Sequence, residues 1–104
     1  MASKQSVIKN VEHFAKDVKA LGIHLKKVIL FGSYAKGAQS ENSDVDVALV
    51  ADEFTGIGFM DISLFVKALR KYIIIHPKTF STEHFNKGDA FINEIIKTGI
   101  EIKL

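Results

Sequence analysis

An unbroken apolar run, Val28-Ile29-Leu30-Phe31, halts at Gly32-Ser33, and a second run from Val45 to Val50 is entered through Asp44 and interrupted only by Asp46. A short continuous apolar segment closed by glycine reads as a buried strand feeding a tight turn. Two such strands, separated by a small polar stretch that includes Ala35, Gly37, Ala38, Ser40, Asn42 and Ser43, need other elements to cover them. The surroundings supply helices. Val7, Val11, Phe14, Val18 and Leu21 recur at helical spacing with Lys9, Glu12, Lys16 and Lys19 on the other faces, and Gly22 is a stop signal. Ile62, Phe65, Val66, Leu69 and Ile73 predict a helix over 59–72. Tyr72 to Ile75 predicts a third strand that Pro77 ends. Phe91, Ile92, Ile95 and Ile96 predict a last short helix stopped near Lys97 and Gly99, and Ile100, Ile102 and Leu104 alternate as a closing strand. The expected fold class is α+β, a small mixed β-sheet with helices packed against it.

Composition narrows the function classes. A chain of 104 residues holds one domain, expected over 1–104, and buries roughly 60–70% of its unfolded surface on folding. The absence of cysteine excludes disulfides, thiolate metal sites and cysteine nucleophiles. No apolar run approaches the ~20 residues of a membrane span, and lysines and histidines are spread through the first turns of the chain, so a cytoplasmic protein without a membrane partner is expected. Fourteen basic against twelve acidic residues leave a net charge of +2, with Lys26-Lys27 and Arg70-Lys71 the only adjacent basic pairs. These read as solvated faces, and nucleic acid is not an expected partner.

The chemistry lies in the spacing G-S-x10-D-x-D. Asp44 and Asp46 are two apart on a strand, so both carboxylates share a face with α-carbons roughly 6.5–7 Å apart, while Val45, Val47 and Leu49 point into the core. Two like charges on one face push one carboxyl toward protonation unless a cation lies between them, and oxygen ligands of this kind suit Mg²⁺. Gly32 lets the backbone bend tightly and approach a ligand closely, and Ser33 offers a hydroxyl and free N–H groups to phosphate oxygens. Each half has a plainer reading: Asp44 as a loop cap with Asp46 solvated on an edge strand, and Gly32-Ser33 as a mere connector. Together they place a phosphate cradle beside metal-holding carboxylates, which is what a nucleoside triphosphate with Mg²⁺ requires.

At these residues, Gly32-Ser33-Tyr34-Ala35-Lys36-Gly37 followed by Ser43-Asp44-Val45-Asp46, the sequence resembles the DNA polymerase beta nucleotidyltransferase superfamily. Its small size resembles the minimal (MNT) type, and the stretch from His76-Pro77 to Glu94-Ile95-Ile96-Lys97-Thr98-Gly99-Ile100 is similar to the ending of that family. The resemblance implies a polymerase-beta-like nucleotidyltransferase fold. It implies catalytic and Mg²⁺-holding roles for Asp44 and Asp46, and nucleotide contacts for Gly32 and Ser33. Lys36 lies where the family commonly has a basic residue, which implies a phosphate contact, with a solvated lysine as the alternative. The resemblance further implies ATP as substrate and a HEPN-type toxin, encoded nearby, as the partner that receives AMP on a tyrosine. A chain this short has no room for its own acceptor-binding domain, so a partner is expected to supply the acceptor. The family usually has a third carboxylate on the strand after the long helix, expected here at Ile73 or Ile74, and this chain has none between Asp61 and Glu83. His76 is the one possible substitute, although a histidine before proline reads more readily as structural. His13, His24 and His84 lack metal spacing, Met60 and the eight phenylalanines read as core, and Phe54 and Phe59 are the candidates for a base pocket. Three functions stay open: an AMP-transferring enzyme, a catalytically impaired antitoxin acting by occlusion, and a domain in which the motif is a relic.

Overall fold

The computed structural model describes residues 3–38 and 44–104, so Ser40, Asn42 and Ser43 of the motif segment lie outside the described residues. The first helix, α1 (Lys4–Ala20), starts where the Ser3 hydroxyl accepts the Ser6 N–H at 3.1 Å, and its apolar stripe buries Val7, Val11, Phe14, Ala15 and Val18. Leu21 falls beyond the helix and is 46% exposed, so the buried stripe ends one turn earlier than its spacing suggests. Four strands follow in the chain: β1 (Leu25–Phe31), β2 (Val45–Ala51), β3 (Ile75–Ser81) and the two-residue β4 (Ile100–Glu101). They lie in the order β3-β2-β1-β4, with β2 and β3 parallel and the other pairs antiparallel, which makes the sheet mixed. Short helices α2 (Ser33–Lys36), α3 (Gly58–Ile62), α4 (Val66–Leu69), α5 (Thr82–Lys87) and α6 (Ala90–Thr98) complete the described elements.

Both faces of the sheet are covered, which is why its central strands are almost continuously apolar. Val28, Leu30, Val45, Val47 and Leu49 pack against α1 and Phe65 on one face. On the other, Ile29, Ala48 and Val50 meet Phe80, Phe85 and the α6 residues Ile92 and Ile95.

Several local expectations are corrected. The helix expected over 59–72 divides into α3 and α4. The Ser63 hydroxyl donates to the Met60 carbonyl at 2.7 Å, an alternative to helix continuation, and Phe65 leaves the helical region (φ −135°) with its ring buried 6.0 Å from Phe14 and 5.7 Å from Phe54. Ile73, counted in the stripe, is 86% exposed. The third strand begins at Ile75 and continues through Pro77 instead of ending there, because β3 is the sheet edge, where a missing N–H donor is tolerated. A further helix not expected from the sequence, α5, starts where the Ser81 hydroxyl accepts the His84 N–H at 3.1 Å. Phe59, Met60 and Phe91 are not core residues: they are 82%, 49% and 46% exposed.

One buried acid ties the loop and α3 to β3. Asp61, 1% exposed, accepts the Thr55 N–H (2.9 Å) and hydroxyl (3.0 Å), the Gly56 N–H (2.9 Å) and the Thr79 hydroxyl (2.7 Å). Burial alone would raise its carboxyl, but these donors outweigh burial and hold it below the ordinary carboxylate range. A depressed folded value means that the stabilisation is complete above the unfolded carboxyl's titration at about 3.9 and is lost as pH falls through the lower folded value. Asp61→Ala should therefore cost about 2–4 kcal/mol in urea unfolding at neutral pH, since it strands several buried donors. Asp61→Asn should also flatten the loss of stability on acidification from roughly pH 5 to pH 2, relative to the natural chain.

Candidate active site

The antiparallel register of β1 and β2 sets Phe31 directly across from Asp46, so the end of one strand lies beside the start of the other. The next residue, Gly32, takes φ 75° and ψ −151°, a conformation that L side chains rarely adopt, and its carbonyl accepts the Lys36 N–H at 3.2 Å to start α2. A Cβ at Gly32 would collide with Asp46 Oδ2. The glycine thus serves two ends: it permits the turn, and its bare α-carbon leaves the seat that the Asp46 carboxylate occupies.

Asp44 immediately precedes β2, and its carboxylate is 59% exposed. Asp44 Oδ1 lies 3.5 Å from His76 Nε2. The parallel register of β2 and β3 pairs His76 with Asp46, so Asp46 has the Gly32 turn on one side and the imidazole strand position on the other. Partial burial pushes the Asp46 carboxyl above the ordinary range; His76 opposes this and the nearby Asp44 carboxylate reinforces it. The structure therefore brings Gly32, Asp44 and Asp46 together, as the spacing predicts, and Ser33 opens the helix at the same turn.

The expected place of a third carboxylate is corrected. Ile73 and Ile74 both precede β3, and the Ile74 carbonyl is engaged by the Val45 N–H at 3.0 Å. The residue paired with Asp46 is His76, and β3 itself contains no carboxylate. Among the described residues no three His, Asp or Glu side chains converge closely enough to enclose a metal. The donor set that is present, two neighbouring carboxylates on an open strand end, fits a hard cation that keeps waters and takes further oxygens from a phosphate substrate.

Lys36 points to α6, with Nζ 3.7 Å from Glu94 Oε1 and both side chains about half exposed. Such a pair is weak and easily exchanged for another anion. The expected base-pocket residues are not at this site. Phe54 is buried in the core on the opposite face of the sheet, and Phe59 projects from α3 at 82% exposure. The aromatic beside the motif is Phe91, whose ring lies 5.8 Å from that of Phe31. Its neighbours at helical spacing read as core, and nothing in the sequence separates it from them. Two concavities formed by the described residues lie along α1, one beside Lys67 and Lys71 and one beside Lys103 and Leu104.

Residues 11–101 match the family model of the nucleotidyltransferase domain. The chain belongs to the nucleotidyltransferase domain family. Two similar proteins of Methanocaldococcus jannaschii bear the name "Putative protein adenylyltransferase". One is 45% identical over 65 residues, covering 61% of each chain. The other is 32% identical over 106 residues, covering 92% of this chain and 98% of the relative. The chain thus spans less than two thirds of the first relative's length and nearly all of the second's. In fold, the chain is similar to a "putative nucleotidyltransferase" from Sulfolobus solfataricus, with a TM-score of 0.68 at 16% identity over 94% of this chain and 80% of that one. It is also similar to a chain in the crystal structure of a toxin-antitoxin with AMP-PNP, with a TM-score of 0.61 at 21% identity over 88% of this chain and 72% of that one. No helix among the described residues is long and apolar enough to cross a membrane.

The dual use of Gly32 can be separated experimentally. Gly32→Ala should destabilise the fold by about 2–3 kcal/mol, from backbone strain plus collision with Asp46. In an Asp46→Ala background the collision is gone, and the same change should cost only about 1 kcal/mol. Urea unfolding of the four variants should show this coupling, and simple additivity would contradict the seat described here.

Proposed function

We propose that this chain is a Mg²⁺-dependent nucleotidyltransferase that transfers AMP from ATP to a hydroxyl of a HEPN-type partner protein, acting as the antitoxin of a HEPN/MNT pair. The observation that carries the reading is the Asp46 carboxylate seated on the Gly32 turn, where a triphosphate and its cation would meet. The relatives named as protein adenylyltransferases support AMP as the transferred group, and the toxin-antitoxin neighbour solved with AMP-PNP supports both a nucleotide and a protein partner. A cytoplasmic location is part of the reading, in keeping with a cysteine-free chain that uses ATP.

In this reading Asp44 and Asp46 are the catalytic carboxylates and the Mg²⁺ ligands. Gly32 N–H and the Ser33 hydroxyl hold phosphate oxygens, and Lys36 exchanges Glu94 for a phosphate. Bound Mg²⁺ would neutralise charge that builds on the phosphates. The chain's own contribution is position: the rigid turn fixes the phosphates so that the acceptor hydroxyl lies in line with the leaving pyrophosphate. The acceptor oxygen bonds to the α-phosphorus, the bond from α-phosphorus to the bridging oxygen breaks, pyrophosphate departs and the hydroxyl proton leaves to water at this open edge.

A second reading is favoured by one specific observation: β3 carries no carboxylate, and the residue it pairs with Asp46 is His76. General base help typically contributes 10²–10⁴-fold, and a chain lacking it can still bind nucleotide and block its partner. Under this reading the protein is a catalytically impaired nucleotide-binding antitoxin.

Incubation with ATP labelled on the α-phosphate, Mg²⁺ and the neighbour-encoded partner separates the two. The enzyme reading expects label on the partner, reduced at least about 100-fold by Asp44→Asn or Asp46→Asn in variants that melt normally. Absence of label, with toxin neutralisation intact in Asp44→Ala, would favour occlusion and contradict transfer.

A further inference from the structure

Phe91 is a large aromatic side chain on the site face that neither the core nor the phosphate chemistry uses. It is 46% exposed, yet its ring is held on two sides: edge-on to Phe31 at 5.8 Å and 79°, and tilted against Phe80 at 6.3 Å and 44°. Its neighbour Ile92 and the next-turn residue Ile95 are buried under the sheet, which anchors the first turn of α6 and fixes where Phe91 stands. Phe31 is the residue paired with Asp46 and the one before Gly32, so a single side chain separates the Phe91 ring from the carboxylate and turn. Lys78 lies two residues beyond His76 on the same face of β3, and its ammonium lies 5.6 Å from the Phe91 centroid. An aromatic ring left half in water but packed against two neighbours has less side-chain freedom to lose when a ligand stacks on it than an unsupported ring would.

We propose that Phe91 is the stacking platform for the nucleobase of the bound nucleotide, which stacks on the ring face that the overlying Lys78 ammonium leaves free, and that it favours purine over pyrimidine triphosphates through the larger stacked area. This inference rests on the reading of Gly32–Ser33 as the phosphate site and adds the base-recognition surface to it. It replaces Phe54 and Phe59, which lie away from the site.

The full chain contains no tryptophan, so Phe91→Trp introduces a single fluorophore at the platform. Its emission should be quenched saturably by ATP with Mg²⁺ and left unchanged by inorganic tripolyphosphate with Mg²⁺. In calorimetry, Phe91→Ala should bind ATP about 5- to 50-fold more weakly than the natural chain, bind tripolyphosphate equally well, and lose most of its preference for ATP over CTP. An unchanged ATP affinity in Phe91→Ala, or an equal loss for ATP and tripolyphosphate, would overturn the platform while leaving the phosphate site standing. A natural chain that binds neither ATP nor tripolyphosphate would overturn both. Phe91→Tyr retains a ring that can stack and should restore ATP affinity; failure to do so in a variant that melts like the natural chain would count against stacking.

Discussion

The pairing of Phe31 with Asp46 across two antiparallel strands is the constraint on which the site depends. Antiparallel neighbours run in opposite directions, so the residue at the end of β1 meets the residue at the beginning of β2, and the glycine that terminates one strand abuts the acid that opens the other. A shift of one residue would turn Asp46 into the core and Val47 to the surface. The apolar residues Val45, Val47 and Leu49 on the opposite face of β2 prevent this, because each is fully buried against the layer built on α1. The site is therefore held in register by the core and not by contacts of its own.

The same sheet also supplies the third position. The parallel register of β2 and β3 sets His76 beside Asp46, and β3 is itself secured from behind by the Thr79 hydroxyl on buried Asp61. A carboxylate that gathers N–H donors from the 55–56 loop and a hydroxyl from the edge strand links the α3 region to the strand that faces the motif. The residue that β3 sets beside Asp46 is thus a histidine, and the strand carries no carboxylate of its own.

Much of this was legible in the residues. Val28 to Phe31 and Val45 to Val50 read as buried strands, α1 followed from its stripe, and the spacing from Gly32 to Asp46 pointed to the turn and strand that the fold sets side by side. What was not legible depended on tertiary context. Ile62 to Ile73 keep a helical period, but Ser63 and the burial of Phe65 break the helix. Pro77 signals a strand end in isolation, and only the position of β3 at the sheet edge makes it tolerable. His76 could not be placed opposite Asp46 without the register, and Phe91 carries the same apolar signal as buried Ile92 beside it. Asp61 showed no sign in the sequence of the four hydrogen bonds that bury it.

Membership of the nucleotidyltransferase domain family and the geometry around Gly32 underlie the proposal that a cation and a triphosphate are held together at the junction of β1 and β2. The most direct measurement is electron paramagnetic resonance of Mn²⁺, used as a spectroscopic stand-in for Mg²⁺, titrated into the protein with a non-hydrolysable ATP analogue. The account predicts that the protein alters the spectrum of the Mn²⁺–nucleotide complex, and that Asp46→Asn, folded as judged by its melting, abolishes the change. Identical spectra for the natural protein and Asp46→Asn would contradict it.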